Sequence, residues 1–211
     1  RDRSPSRGLG DVYKRQIGFS EDIKAIEFLG SVSTYLPAKL GGLNGEAIQK
    51  DQMIDFKKTA VEEFASTPPP QMKGPFNTSI IRVVAGPEFN LLNMAANGLG
   101  ENDYIISNES NRMGIRTVGK KMQIDDGGSM ISKPIYPGMV QCPQNGLPII
   151  LGADAQTLGG YPRILQVIKA DRHLLGQLKP NDRFRFNLVS IAEAIDEWNT
   201  LKKAHPFICE L

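Results

Sequence analysis

The feature of this chain that most limits its fold is a series of short apolar runs, each followed by a turn rich in Gly or Pro, from residue 76 onward. Ser79–Ala85 is a β-branched run, and Met139–Cys142 and Leu147–Ala153 flank a Pro-Gln-Asn-Gly turn. In Arg183–Val189 apolar and polar side chains alternate, as in a strand with one buried face. Because strands are many and helices few, the pattern predicts a mainly β fold, either a barrel or a sandwich.

Two helical segments are predicted within this pattern. Glu88–Asn97 has the composition of a short helix. A second helix is predicted after Ser190, because Ser190 and Glu193 have the spacing of a capping box. Its apolar residues fall on one side, and this face is predicted to pack against the rest of the domain. These residues are Ile191, Ala194, Ile195, Trp198 and Leu201.

The sequence predicts four segments along the chain. Residues 1–16 have neither helical nor strand periodicity and are interpreted as a disordered or non-native tail. Pro68–Pro70 cannot continue a helix and favour an extended linker over residues 67–75. This leaves a short mixed region at residues 17–66 and a strand-rich domain at residues 76–211.

The distribution of charge argues against a nucleic-acid partner. The net charge is +2, but residues 1–16 carry five basic and two acidic side chains, and the remainder carries 20 basic and 21 acidic ones. Binding to nucleic acid requires clustered positive charge, which the body of the chain lacks. No run of roughly 18 apolar residues is present, so no membrane-spanning helix is predicted either.

The cysteines and histidines form no recognisable catalytic or metal-binding motif. Cys142 and Cys209 are far apart and are predicted to be free thiols in a reducing cytoplasm. The chain has only two histidines, and it has no G-x-S-x-G motif. A Gly-rich run, Gly41–Gly45, lacks the Lys-Ser/Thr of a phosphate-binding loop and is interpreted as a tight turn. We therefore predict no metal site.

A polar loop, Ser107–Arg116, is the first candidate binding element. Arg112 and Arg116 bracket Gly114, and two guanidinium groups suit a carboxylate or phosphate. Asn111 adds a neutral donor and acceptor. The alternative interpretation, a polar surface loop with exposed arginines, stays open on composition alone.

A second loop, Ala153–Ile164, directly follows the most apolar run of the chain. Polar side chains at this boundary need partners, and paired glycines let a ligand approach the backbone closely. A tight corner with internal hydrogen bonds is the alternative. Gln141 lies nearby on an otherwise apolar strand, where its amide could face a pocket or satisfy a backbone group. The candidate residues on the loop are Asp154, Gln156, Thr157, Gly159, Gly160, Tyr161 and Arg163.

Three segments of the chain resemble the family of carboxyltransferase domains with subdomains A and B. They are SNRMGIR (Ser110–Arg116), the long stretch Ile131–Ile164 and LKPNDRFRF (Leu178–Phe186). The resemblance extends from about Ser31 to about Glu193. The family includes the C-type subunit of the prokaryotic 5-oxoprolinase, also described as allophanate hydrolase subunit 2 or the KipI antagonist. It also includes the carboxyltransferase part of urea carboxylase.

The resemblance implies a cyclophilin-like β-barrel with a few short helices, plus a remnant of a second subdomain. Members of the family begin with a sizeable Gly-rich segment before the position of Ser31. We therefore expect the chain to be truncated at its N-terminus, with residues 17–66 as the remnant of the N-terminal subdomain.

The resemblance also implies a function. The C-type subunit acts with B-type and A-type partners to convert 5-oxo-L-proline to L-glutamate with ATP, and the B and C types together activate the lactam. In this hypothesis Asp154, Gln156 and Tyr161 are catalytic. The substrate-binding residues are Asn111, Arg112, Gly114, Arg116, Gln141, Thr157, Gly159, Gly160 and Arg163. The arginines hold the carboxylate or the transferred phosphate.

Two alternatives follow from the same resemblance. One is a biotin-dependent carboxyltransferase that acts on urea or a related amide, which requires a biotin carrier. Lys120-Lys121-Met122 does not have the context of a biotin-carrying lysine. The other alternative is a non-enzymatic regulatory protein that binds a KipI-like kinase inhibitor.

Overall fold

A computed structural model describes residues 19, 21–57, 79–93, 98–125 and 130–204 of the chain. The chain forms two compact units, one within Arg15–Met72 and the other made mainly of Lys73–Leu211. The predicted tail and the predicted linker at residues 67–75 lie outside the described residues. The boundaries of the four segments therefore stay a prediction.

The first unit contains a 3-10 helix, Leu36–Ala38, and short bridges such as the one between Ile26 and Gly42. Its Gly-rich run is a tight turn, in which the amide of Gly45 donates to the carbonyl of Gly41 over 2.8 Å. At Gly42 φ is +60°, and a Cβ there would lie 1.8 Å from the hydroxyl oxygen of Thr34. Backbone geometry and close packing thus account for the glycines of this run.

Nine strands and two α-helices are present in the described part of the second unit. The strands are β1 (Ile80–Ala85), β2 (Tyr104–Ile106), β3 (Gly114–Gly119), β4 (Lys133–Pro134), β5 (Met139–Gln141), β6 (Ile149–Leu151), β7 (Leu158–Gly159), β8 (Arg163–Val167) and β9 (Arg183–Leu188). The helices are α1 (Arg172–Leu175) and α2 (Ile191–Ala204), with 3-10 helices at Phe89–Leu91 and Lys169–Asp171. Among the described helices, none has the length and apolar character needed to cross a membrane.

Seven of these strands form a closed barrel in the order β1-β8-β5-β6-β3-β2-β9. Neighbouring strands are antiparallel except β1 and β9, whose parallel pairing closes the barrel. Closure pairs the backbone groups that an open sheet would leave exposed at its edges. The predicted mainly β barrel is thereby confirmed. Strands β4 and β7 pair with each other outside the barrel.

The barrel interior is filled by large side chains that alternate along the strands. Tyr104, Phe184 and Phe186 are each at most 1% exposed, and their ring centroids lie 5.1–5.8 Å apart. The alternation predicted for β9 is confirmed at Phe184 and Phe186, whereas Leu188 at its end is 39% exposed. Burial of one such aromatic or aliphatic side chain stabilises the fold by roughly 1.5–3 kcal/mol.

The helix predicted over Glu88–Asn97 is wrong where the structure describes it. Only Phe89–Leu91 turn, as a 3-10 helix, and Leu92 then pairs with Ile124 in an extended bridge. Residues 94–97 lie outside the described residues. Pairing with a distant strand-like segment overrides the weak helical preference of this short run.

Helix α2 begins as predicted, but its packing differs from the prediction. Ser190 donates its backbone N–H to Glu193 over 2.7 Å, and the Ser190 hydroxyl accepts from the amide of Glu193 over 3.2 Å. Ile191 and Ile195 are 70% and 54% exposed, so the prediction that the whole apolar face packs on the domain is wrong. Contacts that include an ion pair from Glu197 to the guanidinium of Arg82, at 2.7 Å, hold the helix instead.

Candidate functional site

Strands β3, β5 and β6 form a wall of the barrel with two different faces. Ile115, Val140 and Ile150 point into the apolar interior. Because successive side chains alternate between faces, the neighbouring positions project outward from the same wall. The outward positions are Gly114 and Arg116 on β3, Met139 and Gln141 on β5, and Ile149 and Leu151 on β6. The candidate site lies on this outer face.

A second layer of chain covers part of this outer face. Residues 130–135 and 157–160, here called the strap, are joined by the β4–β7 pairing and by two further backbone hydrogen bonds. The amide of Met130 donates to Gly160 over 2.8 Å, and that of Ile135 to Thr157 over 3.0 Å. The side chain of Ile135 packs with Met139 and Leu151 in a small apolar cluster outside the barrel.

A hollow of about 210 Å³ lies beside the strap on the outer face. Its lining includes six of the residues predicted from the sequence, drawn from both candidate loops and from β5. These six are Asn111, Gly114, Arg116, Gln141, Gln156 and Tyr161. The rest of the lining is apolar: Met113, Ile135, Ile149 and Leu151. The hollow thus combines apolar surface with three side-chain amides, one phenol and one cation.

Gln141 is the buried polar group of the hollow. It is 5% exposed, and its amide nitrogen donates to the backbone carbonyl of Tyr161 over 3.2 Å. A β-bulge between β5 and β8 shifts the register at this residue. Such bulges re-aim side chains. A Cβ at Gly159 would lie 2.7 Å from the Gln141 amide nitrogen. The glycine predicted to admit a ligand therefore makes room for this amide.

Arg116 is the cation of the hollow. Its side chain is exposed at the middle of β3 and makes no ion pair with any other described residue. Its backbone is fixed by Ser110, whose hydroxyl accepts from the Arg116 amide over 3.0 Å. An exposed guanidinium on a strand is suited to bind a carboxylate or a phosphate.

The first candidate loop is held in shape by its own side chains. The side-chain oxygen of Asn111 accepts hydrogen bonds from the amides of Met113 and Gly114, over 2.9 and 3.3 Å. Gly114, the first residue of β3, packs closely against the side chain of Ile149 on β6, since a Cβ at Gly114 would come within 2.9 Å of it. The loop therefore presents its residues to the hollow from a defined backbone.

Arg112 and Asp154 join the two candidate loops to each other. The guanidinium donates two hydrogen bonds to the carboxylate, one of 2.7 Å from Nη2 to Oδ1. The amide of Asp154 also donates to the carbonyl of Arg112 over 3.0 Å. The hydrogen bonds from Arg112 hold the pKa of Asp154 below its usual range. Neither residue is in the lining of the hollow, and each neutralises the charge of the other.

Arg163, predicted to bind substrate, has its donors engaged elsewhere. Its guanidinium donates to the carboxylate of Glu88 over 2.7 and 2.8 Å, and to the carbonyl of Pro134 over 3.0 Å. Of the other predicted residues, Thr157 and Gly160 contribute backbone carbonyls to the strap. The structure does not place these three residues in the lining of the hollow.

Glu88 is the residue near the site that the sequence analysis missed. It is 7% exposed, and hydrogen bonds from Arg163 lower its pKa to about 2. Nothing in its sequence context, a Gly-Pro turn after β1, indicates a buried carboxylate. The apolar lining was also missed, because a strand pattern does not show which of its two faces a second layer covers.

Two titratable side chains, Tyr104 and Cys142, lie in the barrel interior, and both are protonated at neutral pH. Burial raises the pKa of Tyr104 to about 12 and that of Cys142 to about 11. Cys142 is a free thiol, as predicted, and Cys209 lies outside the described residues. Across the described ranges, no cluster of three or more His, Cys, Asp or Glu side chains is placed to bind a metal ion.

Comparison with known proteins relates this arrangement to one family. The sequence model of the carboxyltransferase domain, subdomain A and B, matches residues 13–188. The C subunits of 5-oxoprolinase from Escherichia coli (strain K12) and Haemophilus influenzae are each 33% identical to the chain over 79% of its length. The chain spans 53% of the length of each, about half of these relatives.

A solved structure shares the fold. The crystal structure of Kluyveromyces lactis urea carboxylase superposes with a TM-score of 0.68, and the match covers 88% of this chain and 19% of that one. The sequence identity is 22%, so this likeness concerns the fold alone.

Proposed function

Because this chain belongs to the family of carboxyltransferase domains with subdomains A and B, we propose that it is part of a C-type subunit of an ATP-dependent 5-oxoprolinase. In this proposal it binds and activates 5-oxo-L-proline together with a B-type partner, and an A-type partner completes ring opening to L-glutamate. The identity to the C subunits of two 5-oxoprolinases supports this choice of substrate.

The observation that carries the proposal is the composition of the outer-face hollow. 5-Oxoproline is a small ring with a planar amide, a carboxylate and an apolar edge of methylenes. The hollow offers the guanidinium of Arg116, which has no ion pair among the described residues, for the carboxylate. Ile149 and Leu151 offer apolar surface for the ring. Its volume of about 210 Å³ is smaller than the roughly 300–1,000 Å³ typical of pockets for drug-sized ligands.

The side-chain amides give the hollow its selectivity for an amide. Gln141 is held by the carbonyl of Tyr161, and within the described residues its side-chain oxygen has no hydrogen-bond partner. That oxygen would accept from the lactam N–H. As the lactam oxygen attacks a phosphoryl group, positive charge develops on the lactam nitrogen, and the Gln141 oxygen would stabilise it. Gln156 and Tyr161 also line the hollow and would orient the ring.

ATP is proposed to bind with the B-type partner, not within this hollow. The chain contains no GxxxxGK[ST] loop, and the hollow is small for a nucleotide. In the proposed step the lactam oxygen takes the γ-phosphoryl group of ATP and ADP leaves. Water then adds to the activated carbon and the C–N bond breaks, which leaves a γ-glutamyl phosphate. A second water hydrolyses this acyl phosphate to L-glutamate and phosphate. Arg112 and Asp154 are proposed to set the position of the loops, so the catalytic role predicted for Asp154 is not part of this scheme.

The test is ATP-dependent release of glutamate from 5-oxo-L-proline by the complete complex with its A-type and B-type partners. Arg116→Gln removes the proposed carboxylate contact. The KM for 5-oxoproline should rise about 10–100-fold, since a hydrogen-bonded charged contact contributes roughly 1.5–3 kcal/mol. An unchanged KM would exclude Arg116 as the anion site.

A different product would redirect the assignment. If the complex carboxylates urea or a related amide from a biotin carrier, and releases no glutamate, the carboxyltransferase alternative replaces this proposal. If the chain binds a B-type partner tightly without turnover when the A-type partner is added, the regulatory alternative replaces it.

A further inference from the structure

Glu88 joins three segments of the second unit through one buried carboxylate. Its Oε1 accepts from Nζ of Lys133, over 2.9 Å, and from Nη2 of Arg163, over 2.7 Å. Its Oε2 accepts from Nε and from the backbone amide of Arg163, over 2.8 and 3.0 Å. The carboxylate thus links the segment after β1 to the start of β8 and, through Lys133, to the strap.

The strap has little else to hold it on the barrel wall. Its two strands are two residues long each, and an isolated two-stranded pair is marginally stable in water. Of its large apolar side chains, Ile131 and Leu158 are 89% and 56% exposed, and Ile135 alone is buried. The bond from Arg163 to the carbonyl of Pro134 is the other side-chain bond that reaches the strap from β8.

The same strap supplies residues that define the hollow. Ile135 lines it directly, and Gly159 lies against the Gln141 amide so closely that an added Cβ would be 2.7 Å away. A shift of the strap by a fraction of an ångström would therefore change both the shape of the hollow and the space for Gln141. The shape of the hollow therefore depends on the position of the strap relative to strands β3, β5 and β6.

We propose that Lys133 and Glu88 are positioning residues, whose ion pair holds the strap against the barrel wall and so sets the affinity of the hollow for its ligand. The part of this inference that concerns affinity rests on the proposed function. The low pKa of Glu88, about 2, supports an ionised carboxylate between two cations at neutral pH.

The test measures hydrogen exchange in the protein and kinetics in the complete complex. Lys133→Met keeps the length of the side chain and removes its charge, and it leaves the Glu88–Arg163 pair intact. Because the Lys133 side chain is 42% exposed, the amides of Met130 and Ile135, bonded across the strap, should exchange about two- to fivefold faster. The KM for 5-oxoproline should rise, with a smaller change in kcat. Lys133→Arg, which keeps the cation, should restore both values.

Lys169→Met is the matched control. It also removes a lysine contact, the one over the ring of Trp198 at 4.3 Å, which joins the 3-10 helix after β8 to α2 and involves no strap residue. It should leave exchange at Met130 and Ile135 and the KM unchanged. Unchanged strap exchange in Lys133→Met would overturn the inference whatever the activity. Faster exchange with an unchanged KM would also overturn it. If Arg116→Gln then leaves the KM unchanged as well, the site itself is misassigned.

Discussion

Two pairs of arginine and carboxylate stand beside the same hollow, and they differ mainly in burial. Arg163 and Glu88 are 12% and 9% exposed at their side chains, whereas Arg112 and Asp154 are 57% and 47% exposed. In both pairs the guanidinium donates two hydrogen bonds to one carboxylate. The geometry is nearly the same, but the surrounding solvent is not.

The difference separates a structural pair from a pair that can be remodelled. Removing one member of a buried pair leaves an uncompensated charge in a medium of low polarity, which costs roughly 3–5 kcal/mol. An exposed pair is solvated when broken and contributes roughly 0.2–1 kcal/mol. We therefore expect Glu88 and Arg163 to hold the fold around the hollow. Arg112 and Asp154 should contribute to loop position at little cost to stability.

The largest expected effect is on the stability of the Glu88 variant. Glu88→Gln should lower the free energy of unfolding by about 3–5 kcal/mol, because Arg163 stays buried without its counter-charge. Denaturant titration checks this, with Asp154→Asn as the matched control for the exposed pair. Equal losses in the two variants would show that burial does not distinguish the pairs.

Acid should reveal the buried pair next. The pKa of Glu88 is about 2 in the folded chain, below its ordinary value of 4.5. Its contribution is therefore fully present above pH 4.5 and is lost as the pH falls towards 2. The groups that face it are Lys133 and Arg163, which both stay charged in this range. Stability measured from pH 5 to 2 should fall by about 3 kcal/mol less in Glu88→Gln than in the wild type. If stability falls equally with pH in the wild type and in Glu88→Gln, Glu88 does not have the lowered pKa assigned to it.

The smallest effect is expected for the exposed pair. A double-mutant cycle of Arg112→Ala and Asp154→Ala should give a coupling energy of about 0.2–1 kcal/mol, since solvent screens both groups. The coupling should shrink further in about 1 M salt, where the screening length is roughly 3 Å. A coupling above about 3 kcal/mol, or one insensitive to salt, would mean that the pair is shielded in solution.

The strands could be predicted from the sequence because their pattern is local. The alternation around Phe184 and Phe186 and the Asn-Gly turn both indicate a β structure within a few residues. The packing of α2 could not, since periodicity shows which side of a helix is apolar but not whether anything covers it. Ile191 and Ile195 share the apolar side and are nonetheless exposed.

The two loops of the candidate site could be predicted from the sequence, but the ion pairs between their side chains and other residues could not. Polar residues that follow strands indicated both loops, and the structure brings them together. Which arginine is free depends on contacts between distant residues, such as Glu88 and Arg163, which are 75 positions apart. Arg112, Arg116 and Arg163 look alike in the sequence, but of these three only Arg116 lacks an ion pair among the described residues.

The central claim is that Arg116 in the outer-face hollow binds the carboxylate of 5-oxo-L-proline. Titration calorimetry of this ligand with the full protein tests that claim most directly. Arg183 provides the matched control, because it is an exposed arginine on β9 that does not line the hollow. We predict that Arg116→Gln raises the Kd about tenfold or more and that Arg183→Gln leaves it unchanged. Equal Kd values for wild type and Arg116→Gln would contradict the account.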